Sequence, residues 1–413
     1  MTTKQAATTR CVTAHAGARD YYQLSLALYE AGLLERLVTE AYAPDWLYAV
    51  APRQAQKRYC QGLPTSAVKL SRGALYRTVR SRLLNSSDTF AIDHCLSRTA
   101  YEVARRTDSN LFLYSYYGHE AFWRAIADRS QRHRILFQLH PHPMAIRHLL
   151  AGEIERLPFA AQSIRDEEEF QLPPDQLHAL AEEPLLATLC VTASQFTRTS
   201  LIENGVAADR IRVVPYGVDT RAFPARTTSP KARPFRVVFV GRMNQRKGLA
   251  DLLQAVRLLN SRHIEVVICG RGYVDYTLLA EYRDVAINVQ YAISTTRLVQ
   301  ELHQSHVFVL PSLAEGFGHV ILEAMAAGLP VITTANTCGP DVLTEGEHGY
   351  LVPIRSPEAI AAQLEEAIRN PNDWFAMGQL AAQQARSFTW ERFRRGVTEV
   401  YLHATASQPN PAL

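Results

Sequence analysis

The chain of 413 residues lacks any apolar run near the roughly 20 residues that a membrane-spanning helix needs. Its first ten residues lack the apolar core of a secretory signal, so we expect no cleaved leader. Six cysteines are scattered without a Cys-x-x-Cys pair, which indicates reduced thiols rather than disulfides or zinc. These absences favour a cytoplasmic protein, and the length suits two domains rather than one core.

The net charge of +4 conceals an uneven distribution. Residues 1–150 hold 20 Lys and Arg against 11 Asp and Glu, and much of this excess lies between Arg53 and Arg82, a segment (53–82) without one acidic residue. A helix over 71–84 would carry arginines beside an apolar face. That face would consist of Leu75, Val79 and Leu83. The segment is either a solvated basic helix or one that docks on anionic lipid headgroups, at the inner face of the membrane.

Short apolar runs alternate with helical stretches in both halves of the chain, which is typical of parallel, doubly wound α/β sheets. Strands are predicted over 10–15, 34–40, 110–116, 134–139 and 186–192, and again over 235–240, 264–269, 285–290, 307–310 and 331–333. Between 149 and 185 the composition turns acidic, which indicates a helical excursion. A linker rich in Pro, Thr and Arg covers 223–234.

We therefore predict an N-terminal domain over 1–225 and a C-terminal domain over 232–388. A last helix within 389–413 is expected to cross back to the first domain. Two facing parallel sheets leave a cleft between their strand ends, and such clefts hold ligands.

The stretch from Glu315 to Glu323 carries the most chemistry. A buried strand over 307–310 precedes a glycine turn and a helix, so free backbone N–H groups and the positive end of a helix dipole point beyond the strand. That arrangement suits a phosphate, and the two carboxylates suit hydroxyl groups, which together indicate a nucleotide sugar. Taken singly, Glu315 also fits a helix N-terminal charge and Glu323 a surface charge.

Two further glycine-containing loops follow predicted strands. Residues 241–248 place Arg242 and Lys247 at a strand end, where glycine lets the backbone approach a diphosphate. Residues 270–272 read Gly-Arg-Gly after the next strand; alone, each loop is no more than a basic or a tight turn. No Asp-x-Asp occurs, so we expect no metal on the diphosphate and assign its neutralisation to cations of the protein.

With these motifs the chain resembles glycosyltransferase family 4, whose members are retaining enzymes of the GT-B fold. The resemblance rests on Val-Gly-Arg-x4-Lys-Gly at 240–248, Pro-Ser-x-x-Glu-Gly-Phe-Gly at 311–318 and Glu-x7-Glu at 315–323, and it continues over most of 186–401. It implies two Rossmann-like α/β domains, with the nucleotide-sugar donor in the second and the acceptor in the first.

The resemblance also implies roles for individual residues. Arg242 and Lys247 would neutralise the donor diphosphate, here expected to be that of a UDP or GDP sugar. Glu323 would accept hydrogen bonds from the ribose hydroxyls, and Glu315 would hold the sugar and the distal phosphate. The donor-binding set is completed by Gly270, Gly316, Phe317 and Gly318.

Two regions of the first half are implicated in the same way. The family often carries a histidine that faces the donor sugar; here His140 is the predicted catalytic histidine and His142 the alternative. Gly17 and Arg19 stand where the family has its glycine-rich acceptor-side loop. The two histidines lack a third partner for a metal site.

The sequence thus predicts a metal-independent, retaining hexosyltransferase that acts on a polysaccharide, glycolipid or other glycoconjugate acceptor, without a cofactor and without a nucleic-acid partner. The leaving phosphate would take the proton of the acceptor. A nucleotide-sugar epimerase of the same architecture and a non-enzymatic binding protein are the alternatives. A Rossmann dehydrogenase is disfavoured because neither half shows Gly-x-Gly-x-x-Gly after its first strand.

Overall fold

The computed structural model describes residues 9–84, 89–230, 234–261 and 263–406, with the backbone alone at positions 53, 54 and 56. It contains two parallel β-sheets, of seven and six strands, each built from alternating strands and helices. The predicted α/β class, with two doubly wound parallel sheets, is confirmed.

The helices of the first half connect parallel strands, and a cluster of them over 143–186 forms the excursion predicted from the acidic composition. They are α1 Gln23–Glu30, α2 Asp45–Val50, α3 Pro52–Ala55, α4 Arg72–Leu83, α5 Thr89–Thr107, α6 His119–Ala127, α7 Pro143–Arg156, α8 Ala161–Arg165, α9 Glu168–Gln171, α10 Pro174–Leu186 and α11 Gln195–Glu203.

The helices of the second half alternate with strands until the sheet is complete, and three helices then follow one another to the end of the described chain. They are α12 Leu249–Leu259, α13 Tyr276–Glu281, α14 Thr295–Gln304, α15 His319–Ala326, α16 Gly339–Val342, α17 Pro357–Arg369, α18 Pro371–Ala385 and α19 Trp390–Thr405.

The first sheet has the strand order β3-β2-β1-β4-β5-β6-β7. Its members are β1 Cys11–Ala14, β2 Leu34–Thr39, β3 Val68–Leu70, β4 Asn110–Tyr114, β5 Arg134–Gln138, β6 Leu189–Thr192 and β7 Ile211–Val213. Strands β4 and β5 are buried at every residue, as expected of a sheet covered on both faces. The strand predicted over 186–192 begins only at Leu189, because Leu186 still belongs to α10.

The second sheet has the order β10-β9-β8-β11-β12-β13. Its members are β8 Phe235–Val240, β9 Ile264–Gly270, β10 Ile287–Tyr291, β11 Val307–Leu310, β12 Val331–Thr334 and β13 Gly349–Val352. Phe308 of β11 pairs with Val238 of β8, so the loops that follow these two strands leave the sheet side by side. The strand order reverses at this pair, which is where open α/β sheets bind ligands.

The last described helix packs on the first sheet rather than the second. The Asn110 Nδ2 atom donates to the Tyr401 hydroxyl over 3.0 Å, and the Arg394 Nε atom lies 2.9 Å from a Glu30 carboxylate oxygen. Tyr401 is fully buried, so α19 adds to the core of the first domain after the chain has left the second.

All six cysteines are free thiols, as expected, and Cys190 and Cys269 are buried within strands. Over the ranges that the structure describes, no helix combines the length and the apolar content needed to cross a membrane.

Candidate active site in the cleft

The turn after β11 is shaped by glycine and fixed by backbone hydrogen bonds. The Glu315 N–H donates to the Asn336 carbonyl over 3.0 Å, and the Cys338 N–H donates to the Phe317 carbonyl over 2.8 Å. Gly318 has a φ of 89°, a left-handed conformation that glycine adopts at no steric cost, and α15 begins at the next residue. The first N–H groups of α15 lack partners within the helix and are therefore suited to an anion.

A partly buried ion pair joins the two loops that the topology places side by side. The Lys247 Nζ atom contacts the Glu315 Oε1 atom, which also accepts a hydrogen bond from the Ser312 hydroxyl over 3.1 Å. Burial would raise the pKa of Glu315, but Lys247, Arg246 and the Ser312 hydrogen bond together lower it below its ordinary value. Glu315 is therefore a carboxylate at neutral pH and accepts hydrogen bonds.

The same turn is in direct contact with the first domain. A Cβ atom on Gly316 would overlap the Leu139 carbonyl oxygen and would lie 3.2 Å from the His140 Cα atom. The Gly316 carbonyl accepts hydrogen bonds from the Ser194 hydroxyl over 2.7 Å and from the Thr197 hydroxyl over 3.1 Å. The turn after β11 and the loop after β5 are thus in direct contact between the domains.

The structure separates the two candidate histidines. His140 lies beside Gly316, and its burial, with Arg246 and Arg19 nearby, lowers its pKa to about 3. His142 instead caps α7: its Nδ1 atom accepts from the Met144 N–H over 3.3 Å, and its Nε2 atom lies 3.0 Å from the Ala181 carbonyl oxygen. Of the pair, only His140 adjoins the turn after β11, and it does so as a neutral imidazole.

A cavity of about 1280 Å³ lies between the domains and is large enough for a nucleotide sugar. Glu323 lines it, and burial raises the pKa of this residue to about 7 against the opposing effect of Arg271. Arg242 is exposed at the same cavity. Gly270 also lines it, and a Cβ there would overlap the Gly241 carbonyl oxygen, so glycine is needed for the loops after β8 and β9 to meet.

The predicted acceptor-side residues lie on the loop after β1. Gly17 has a φ of 70°, and its N–H donates to the Glu40 carboxylate over 3.1 Å. Burial would lower the pKa of Arg19, but Tyr117 and Asp93 raise it above its ordinary value. Asp93 was missed by sequence reasoning because it lies within α5, which carries no motif.

Sequence reasoning also missed a group of buried carboxylates, among them Glu153 and Glu167, that reach from the helical excursion to the loop after β8. The sequence shows the acidic composition of the excursion, but it does not show that the excursion contacts the loop after β8, about 80 residues away. Within the described residues, no group of three or more His, Cys, Asp or Glu is arranged to hold a metal ion.

Comparison with known proteins shows which family the second domain, with these loops, resembles. The model of the family described as "Glycosyl transferases group 1" matches residues 223–384. Residues 223–384 thus form a group 1 glycosyltransferase domain. All the predicted donor-binding residues of this glycosyltransferase domain lie inside the matched range, whereas His140, Gly17 and Arg19 lie outside it.

A glycogen synthase of Mycobacterium tuberculosis is 28% identical over 251 residues, which cover 58% of this chain and 60% of that protein. The chain thus spans about three fifths of the length of this curated relative. Two solved structures resemble this chain over nearly its whole length. Sucrose-phosphate synthase from Thermosynechococcus elongatus has a TM-score of 0.67 at 17% identity and covers 96% of this chain and 100% of its own. Anabaena Alr3699/HepE in complex with UDP has a TM-score of 0.61 at 16% identity and covers 95% and 99%. At such identities they show the shared GT-B fold.

Proposed function

We propose that this group 1 glycosyltransferase moves a hexose from a nucleoside diphosphate sugar to an acceptor hydroxyl and retains the anomeric configuration. One observation carries the proposal: Glu315 lies on the glycine turn that packs against the His140 loop, and it forms an ion pair with Lys247 of the loop after β8. A helix start suited to phosphate, a cation, a carboxylate and a neutral imidazole are therefore close together between the domains.

The donor would lie with its diphosphate over the start of α15, between Arg242 and Lys247. Negative charge grows on the leaving diphosphate as the sugar becomes oxocarbenium-like, and preorganised cations and N–H dipoles stabilise that charge. Loss of one such donor costs about 3 kcal/mol in comparable sites. These protein cations take the part that a bridging metal plays elsewhere, so we propose a metal-independent reaction.

The chemical step would take place on one face of the sugar. The bond from C1 to the phosphate oxygen breaks, the bond from C1 to the acceptor oxygen forms on the same face, and the acceptor proton passes to the leaving phosphate. Glu315 is already engaged by Lys247 and Ser312, which suits a carboxylate that orients sugar hydroxyls rather than one that attacks C1. The neutral His140 would hydrogen-bond to a sugar hydroxyl.

For the acceptor we propose a glycan or a lipid-linked glycan and, with it, a cytoplasmic protein that binds the membrane surface. Helix α4 exposes apolar side chains, with Leu75, Val79 and Leu83 38%, 48% and 80% exposed. No acidic residue occurs between Asp45 and Asp88. An exposed apolar stripe among arginines has the chemistry to bind anionic headgroups and the acyl boundary beneath them.

The experiment that tests the proposed function has two stages. A thermal-shift panel of UDP, GDP and ADP sugars identifies the donor, and the UDP sugars come first because the Anabaena structure of the same fold is in complex with UDP. The stabilising donor is then incubated with candidate acceptors, and proton NMR reads the anomeric configuration of the product. Release of an isomerised sugar from the donor alone would identify an epimerase and overturn the proposal.

A further inference from the structure

The loop after β8 presents its side chains in two directions. Lys247 pairs with Glu315 of the turn after β11, and Arg242 is exposed at the cavity. Three of the four residues between them, Asn244, Gln245 and Arg246, instead contact carboxylates of the first domain. The loop that would bind the diphosphate is therefore fixed by hydrogen bonds to carboxylates of the first domain.

Glu167, which precedes α9, holds two of the three. Its Oε1 atom accepts a hydrogen bond from Asn244 Nδ2 over 2.6 Å, and its Oε2 atom accepts one from Arg246 Nη1 over 2.7 Å. Glu169 adds a longer contact of 3.4 Å to the same Arg246 atom. Glu167 is 2% exposed, so its charge depends on these partners rather than on water.

Glu153 on α7 holds the third. It is completely buried and accepts a hydrogen bond from Gln245 Nε2 over 2.9 Å. Its charge is balanced by Arg156, at 2.7 Å, and by Arg355. Gln245 also donates to the Asp251 carboxylate over 2.8 Å, which links Glu153 to the first turn of α12.

Arg246 also makes hydrogen bonds with the turn after β11, so it connects the first-domain carboxylates to that turn. Its backbone carbonyl accepts from the Leu313 N–H over 2.9 Å, and its Nε atom donates to the Ala314 carbonyl over 3.2 Å. Ala314 directly precedes Glu315. The contacts of Glu167 thus reach both loops that would bind the diphosphate, through one guanidinium group.

We propose that Glu153 and Glu167 of the first domain are positioning residues that hold the loop after β8 in its diphosphate-binding conformation, so that contact between the domains and diphosphate binding support each other. The inference rests on the proposed function, because the diphosphate site is part of it. The coupling is reciprocal: a bound nucleoside diphosphate should in turn stabilise the contact between the domains.

A comparison of nucleoside diphosphate binding with monophosphate binding distinguishes a displaced loop from general destabilisation of the protein. A loop that is released from Glu167 loses its hold on the phosphates, while the part of the cavity that receives the nucleoside is unchanged. Calorimetric titration of Glu167→Ala with UDP and GDP, and with UMP and GMP, separates these contributions. We expect the dissociation constant of the bound nucleoside diphosphate to rise about tenfold, since small displacements of binding groups have effects of this order, with little change for the monophosphate.

The matched controls use the same part of the chain. Glu155→Gln removes an exposed carboxylate from α7, two residues from Glu153, and should bind both nucleotides as the wild type does. Arg246→Ala should reproduce the loss seen in Glu167→Ala. Because both changes break the same contact, the double variant should bind no more weakly than the weaker single one.

Equal weakening of the diphosphate and the monophosphate would overturn the inference alone, as would an unchanged diphosphate affinity or additive losses in the double variant. Failure of the wild type to bind any of UDP, GDP and ADP would overturn the proposed function, and the inference with it. Circular dichroism melting of each variant shows that the titrations are made on folded protein.

Discussion

Gly316 of the second domain packs against the Leu139 carbonyl oxygen of the first so closely that there is no room for a Cβ atom between them. The contact joins the two halves of the proposed reaction site, because Leu139 precedes His140 and Gly316 follows Glu315. Neither side can shift without moving the other, since the Gly316 carbonyl is also hydrogen-bonded to Ser194 and Thr197.

The first prediction concerns this contact. In Gly316→Ala, the added methyl group forces the turn and the His140 loop apart, and displacements of about 1 Å in an active site cost about a hundredfold in rate. We expect kcat for sugar transfer to fall by about that factor, as measured by initial rates at saturating donor. The control is Gly152→Ala in α7, where the new Cβ would make only an ordinary contact of 3.6 Å with Arg355. Transfer rates should be unchanged there, and equal losses in both variants would contradict the argument.

A second prediction separates orientation from nucleophilic attack. If Glu315 orients the sugar, Glu315→Gln should transfer sugar at least tenfold more slowly, because the amide cannot keep the ion pair with Lys247. The wild type incubated with donor alone should show no covalent hexose by intact-protein mass spectrometry. A hexose adduct that maps to the peptide containing Glu315 would instead establish a glycosyl-enzyme intermediate.

The proposed donor-binding residues could be predicted from the sequence because they lie in loops that directly follow buried strands. Lys247 and Glu315 are far apart in the chain, yet β8 and β11 are neighbours, and the alternating pattern of strands and helices already implied a shared sheet edge. The choice between His140 and His142 needed coordinates, since both follow the same strand and only the structure shows that His142 caps α7.

The carboxylates behind the loop could not be predicted in the same way. Glu153 and Glu167 lie on a helical excursion whose docking depends on tertiary packing, and neither belongs to a local motif. Strand β3 was missed for a different reason: it has three residues, and Lys69 interrupts its apolar character. Short edge strands give too little periodicity to be recognised.

The third prediction concerns pH. Burial raises the pKa of Glu323 from its ordinary 4.5 to about 7, so the buried charge destabilises the fold progressively as pH rises from about 4.5 through 7. In the role proposed for Glu323, ribose hydroxyls would donate to the ionised carboxylate, so nucleotide affinity should change in the opposite sense and increase up to about tenfold between pH 6 and pH 8.

Calorimetry with a nucleoside, which carries no phosphate that titrates in this range, isolates the effect of Glu323. The variant Glu323→Gln should bind the nucleoside with an affinity that does not change between the two pH values. A pH dependence that persists in this variant would assign the titration to another group.

The fourth prediction tests the membrane surface. Arg72, Arg80 and Arg82 are exposed on α4, and each basic residue near an anionic membrane contributes about 1 kcal/mol to binding. Replacement of all three by Gln should therefore weaken cosedimentation with phosphatidylglycerol vesicles by roughly a hundredfold. The wild type should bind pure phosphatidylcholine vesicles far less, and its binding to the anionic vesicles should decline with added salt.

The control for this prediction removes the same charge from a neighbouring helix. Arg98, Arg105 and Arg106 are exposed on α5, and their joint replacement by Gln lowers the net charge by the same amount. If α4 is the docking surface, this variant keeps most of its affinity, because charge alone does not supply the apolar stripe of Leu75, Val79 and Leu83. Equal losses in the two variants would show that binding depends on the overall charge of the first domain, and wild-type binding below detection would leave α4 as a solvated basic helix.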